Sequence, residues 1–137
     1  MLSDESKATF MLEMHKLIET AADQAALQVA GRQGGGSLTY PPGARGLAPA
    51  ERAALQSVQA PPEALAPARR VIADAVGSVV FDLFAIVDGV RELEGWDVAF
   101  GPLKLAPSEG RGTLHQEFKD GYAEWKKRRS DPGWSLG

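Results

Sequence analysis

Few side chains in this sequence are equipped for chemistry. It has two histidines, His15 and His115, and no cysteine. Disulfides, thiolate metal sites and thiol nucleophiles are therefore excluded. The carboxylates worth weighing are Asp82 and Asp88, on the longest apolar stretch, and Glu117, two residues after His115. General acid–base catalysis asks for a carboxyl or imidazole whose pKa is moved by burial or by a charged neighbour. Asp82 lies between Phe81 and Leu83. Buried there, it would be such a group. The first expectation is that Asp82 faces water or a groove, because carboxylates are rarely fully buried, and the next is an ion pair with Arg69, Arg70, Arg91 or a lysine of the last helix. Asp88 follows six positions later, past one and a half helical turns, and points to another side. The candidate catalytic set is thus Asp82, Asp88, His115 and Glu117, assembled only if two helices bring them together.

The same four residues are the candidate metal ligands. They lack the HExxH spacing that fixes two ligands on one helical face, so no metal and no cofactor is expected. A Ser–His–acid triad drawn from Ser78, His115 and Asp82 lacks a GxSxG elbow. His15 is read as a half-exposed histidine on the shoulder of the first helix. The glycine run of residues 31 to 37 has phosphate-loop spacing, yet it lacks the lysine and follows a helix instead of a strand. Lys126, Lys127, Arg128 and Arg129 form a basic cluster, diluted by Asp120, Glu124 and Asp131. Fifteen basic against eighteen acidic residues give a net charge of −3, so no nucleic-acid partner is expected.

The elements that must carry these residues are helices. Residues 67 to 90 hold the central one, about 68 to 88. Val71, Ile72, Val76, Val79, Val80, Leu83, Phe84, Ile86 and Val87 recur at steps of three, four and one, an apolar face wide enough to need neighbours on several sides. Pro67 suits its first turn and Asp88-Gly89 its end. Val79, Leu83 and Phe84 are its expected core. A buried strand over 79 to 87 is the alternative, given the β-branched residues.

Residues 3 to 30 read as the first helix. Ser3 caps it, Asp4 and Glu5 favour its positive end, and Gly31 follows its end. Its expected inner face is Phe10, Met14, Leu17, Ala21, Ala25 and Val29, with Met11 and Ile18 beside them. The small residues Ala21, Ala22, Ala25 and Ala26 allow a close neighbour, either the central helix or a second copy. Residues 31 to 48 read as a mobile Gly/Pro-rich loop, open to trypsin at Arg32 or Arg45. A short helix follows at 49 to 59. Alternation around Gly101-Pro102 admits a small β-hairpin at 96 to 105, with an irregular loop as the alternative. Thr113-x-x-Gln116 matches a capping box, opening a last helix with the face Leu114, Phe118, Tyr122 and Trp125. Residues 130 to 137 read as a frayed tail.

The fold expected is mainly α: one domain, residues 1 to 137, of three to four helices around a central apolar helix. The N-terminal stretch does not resemble a signal peptide, and no stretch has the roughly 20 apolar residues of a bilayer span. No membrane association is expected, and the cytoplasm is the expected compartment. No motif is specific enough to name a family. The expected function is a small non-catalytic protein-binding module of the immunity or inhibitor, adaptor or assembly-subunit type, working with a protein partner or as a homo-oligomer, with a homodimer favoured. The alternative is a small enzyme or metal-binding protein with a His/carboxylate site between the central and last helices.

Overall fold

A computed structural model describes residues 3–32, 47–91 and 113–131. They form four helices: α1 Asp4–Val29, α2 Pro49–Gln56, α3 Pro62–Val87 and α4 Leu114–Arg128. The fold is mainly α, with no strand among the described residues. The stretch 79 to 87 is helical, so the strand alternative falls. The hairpin expected at 96 to 105, most of the loop 31 to 48, and tail residues 132 to 137 lie outside the described residues.

Local chemistry sets the ends. The Ser6 amide donates to Ser3 Oγ at 3.2 Å, so Ser3 caps α1 as its residue type dictates. The other end closes in a Schellman turn. Gly31 takes φ +71°, its amide donates to the Gln28 carbonyl at 3.2 Å, and the Arg32 amide donates to Leu27 at 2.9 Å. Gly31 is fixed twice over, since a Cβ there would stand 2.7 Å from the Leu55 carbonyl oxygen. In front of α2, Glu51 reaches back to accept the Ala48 amide at 2.8 Å. That helix stops at Gln56, three residues short of expectation, and Gln59 takes φ +44° in the turn beyond.

The start of α3 is a correction. It begins at Pro62, and Pro67 sits inside it. Pro62 supplies the pre-set φ of a first helical position. Glu63 to Ala66 then complete a turn before Pro67, whose missing N–H leaves one carbonyl of that turn without its usual donor. The end is as read: Gly89 takes φ +73°, and the Val90 amide donates to Ala85 at 2.9 Å.

The chain divides into two compact units. The first, within Met1–Lys16 and Gly77–Pro132, takes the start of α1, the end of α3 and all of α4. Its centre is a run of rings. Phe10 meets Phe84 edge-on at 5.8 Å, Phe84 meets Phe118 at 5.6 Å, and His15 stacks on Phe118 at 4.3 Å. Met11 is fully buried beside them. A Cβ on Gly121 would stand 3.0 Å from Met11 Cβ, so this glycine lets α4 lie close on α1. The second unit, within Leu17–Val76, takes the rest of α1, α2 and the start of α3. Ala22, Ala26 and Ala73 are buried in it. Arg69 pairs with Asp23 at 2.7 Å, and Arg32 donates to the Ala60 carbonyl at 3.1 Å.

Two inner faces differ from expectation. The buried line of α1 is Lys7, Met11, His15, Ile18, Ala22 and Ala26, continued by Ala30 just past its end and displaced by one position, while Leu17 and Val29 are half-exposed. Lys7 and His15 interrupt the apolar pattern on that line, so the periodicity points to the neighbouring one. On α3, Phe84 is buried as expected, but Val79 is 68% and Leu83 54% exposed. Among the described residues, one apolar side of the helix is therefore left open instead of being covered.

Candidate functional site

Of the four candidate residues, two meet. Asp88 closes α3 just before Gly89, and its side chain is 1% exposed. Its Oδ1 accepts the Leu114 amide at 3.1 Å, and its Oδ2 accepts the His115 amide at 2.9 Å. The same Oδ2 lies 2.6 Å from His115 Nδ1. A carboxylate only accepts, so the ring proton sits on Nδ1. Phe81 stands edge-on to the imidazole, ring centres 5.6 Å apart.

Asp88 is thus the cap of α4, supplied from the end of another helix. Thr113, expected to fill that role, makes no side-chain cap bond, and Gln116 turns instead to Asp120 at 3.0 Å. Two amides at the positive end of a helix and one ring N–H converge on a single carboxylate, the arrangement that favours the ionised form. Burial pushes the Asp88 carboxyl up. The hydrogen bonds from the His115 amide, the His115 ring and the Leu114 amide outweigh it, and the net pKa is lowered below the usual carboxylate value.

The other two candidates go elsewhere. Asp82 pairs with Arg91 at 2.7 Å, and both side chains are partly exposed. The expectation of an ion pair with a nearby arginine fits this contact. Glu117 lies 4.0 Å from Lys7 Nζ. Among the described residues no cluster of three or more histidine or carboxylate side chains converges as metal ligands would.

Among the buried polar residues, His15 and Lys7 lie beside α4. His15 is corrected from half-exposed to buried, with Nε2 donating to the Phe118 carbonyl at 2.7 Å. Lys7 is buried too, its ammonium 3.6 Å from Asp4 and flanked on the other side by Glu117. The one available signal was the spacing Lys7, Met11, His15, Ile18, which is a helical line only if polar members are admitted.

Chemically, a carboxylate orienting an imidazole is two-thirds of an acyl-transfer triad. The third part is missing among the described residues, where no hydroxyl is hydrogen-bonded to the His115 ring. Asp88 spends its acceptors on holding a helix start, which makes the pair a clamp. No protein-family model matches the chain, and no curated protein or solved structure matches it either.

Proposed function

We propose that the protein is a small non-catalytic binding module whose outward side of α3 meets a second copy of the chain. The observation that carries this reading is the open apolar side at Val79 and Leu83. Large aliphatic side chains one turn apart form a stripe that gains free energy when water leaves it. The Asp82–Arg91 pair beside the stripe offers both signs of charge. A two-fold contact brings a patch against itself, so a patch carrying both signs can complement its own copy.

Ala22 and Ala26 of α1 give no support to this contact, because both are already buried within the chain. The Asp88–His115 pair is assigned to structure. A cytoplasmic location belongs to the same proposal, and cell fractionation tests it. No described helix is long and apolar enough to cross a membrane.

Light scattering across micromolar concentrations tests the module. The expected mass is twice the 14.6 kDa of one chain, falling to one chain in Leu83→Glu. A mass of one chain at every concentration overturns the second copy as partner.

A further inference from the structure

A hollow of about 260 Å³ lies between the start of α1 and α4. Its apolar lining is Ala8, Met11, Leu12 and Gly121. Its rim is acidic, with Asp4 on α1 and Glu117, Asp120 and Glu124 on α4. On each helix the lining residues span two turns, about 10 Å along the axis. The hollow is therefore a groove between two helices.

We propose that this groove receives a basic amphipathic helix from a protein partner. Its shape and volume favour side chains over a free cofactor. It is smaller than the roughly 300–1,000 Å³ of sites that enclose drug-sized molecules. Two turns on each wall suit the spacing of apolar anchors on an incoming helix.

The charge on the rim decides which helix. Lys7 serves Asp4 and Glu117 together, at 3.6 and 4.0 Å, and its ammonium has no hydrogen-bond partner among the described residues. Glu124 is held by Arg128 at 2.7 Å and Lys127 at 3.8 Å. Asp120 receives only the Gln116 amide among the described residues. Among the described residues four carboxylates thus share three cations, with Asp120 and the loosely held Glu117 left to pair with an arriving lysine or arginine. Apolar side chains of the partner lie over Ala8 and Gly121, and its cations reach those two carboxylates.

The inference rests on the binding-module reading but not on the α3 contact. The test therefore uses the 137-residue chain carrying Leu83→Glu as its background, so the two can fail separately. The probe is a synthetic helix-forming peptide with leucines at every third or fourth position and lysines between them, compared with the same peptide carrying glutamates. Binding is read by fluorescence anisotropy and located by the methyl NMR signals of Ala8 and Leu12.

The lysine peptide is expected to bind and shift those methyls, and the glutamate peptide is not. Asp120→Lys reverses the rim, and Ala8→Phe fills the groove. Each is expected to weaken binding at least about tenfold, with helicity by circular dichroism unchanged; should Ala8→Phe unfold, Asp120→Lys alone decides. Equal affinity for both peptides, no binding at millimolar peptide, or shifts confined to Val79 overturns the proposal. So does the same methyl shift with protein concentration alone, which would give the groove to a second copy. A simple alkylammonium ion that matches the peptide would give it to a small cation and overturns it as well.

Discussion

Asp88 accepts three hydrogen bonds on two oxygens in a side chain that water hardly reaches. Asp88→Asn keeps the shape but replaces one accepting oxygen with a donor facing an amide. It is expected to cost about 2–3 kcal/mol in urea unfolding. His115→Ala removes only the ring contact and keeps both amide bonds, so it should cost less. The reverse order would mean that the ring contact, and not the capped amides, carries most of the stability of the site.

The pH dependence follows from the same site. The folded pKa of Asp88 is lowered, so its contribution is present above the unfolded value, about 3.9, and is lost as pH falls through the lower folded value. Urea midpoints measured from neutral pH into acid should fall more steeply for the parent than for Asp88→Asn. Parallel curves would show that Asp88 is not ionised in the fold. By contrast, Asp82→Asn breaks a partly exposed pair and should cost less than about 1 kcal/mol.

As candidates, Asp88 and His115 were legible in the sequence from their types. Their meeting was not, because it depends on how α4 approaches the end of α3, and no local pattern encodes that approach. His15 and Lys7 were illegible for a related reason. Residue type argues for exposure, whereas the carbonyl of Phe118 and the carboxylates of Asp4 and Glu117 meet the two side chains inside the fold.

At the level of elements, helix existence was readable and helix faces were less so. Ser3, Gly31 and Gly89 mark ends because capping is local chemistry, and the structure uses all three. Pro67 misled because proline is found both at helix starts and, less often, within helices, and Pro62 already held the first position. The face of α3 misled because its valines and leucine satisfy the periodicity on both the covered and the open side.

Two substitutions measure the difference. Phe84→Ala empties the ring cluster and is expected to cost about 3–5 kcal/mol. Leu83→Ala, on the monomer at low concentration, should cost less than about 1 kcal/mol, because an exposed side chain leaves no cavity. Equal costs in urea titrations would place Leu83 back in the core. Gly121→Ala puts a Cβ 3.0 Å from Met11 Cβ. It is expected to lower stability by about 1–3 kcal/mol through overpacking. A higher melting temperature in Gly121→Ala would show that α1 and α4 have room to spare.

For the whole molecule, the central claim is that the chain leaves one side of α3 for another copy of itself. A net charge of −3 on 137 residues offers little repulsion against such a contact. The most direct measurement is an isotope-filtered NOE experiment on a sample mixed from methyl-labelled and unlabelled chains. The account predicts intermolecular NOEs from the methyls of Val79 and Leu83, absent in Leu83→Glu, with none from Ala22 or Ala26. Intermolecular NOEs that arise elsewhere and leave Val79 and Leu83 silent, or none at a concentration where the mass is that of one chain, would contradict it.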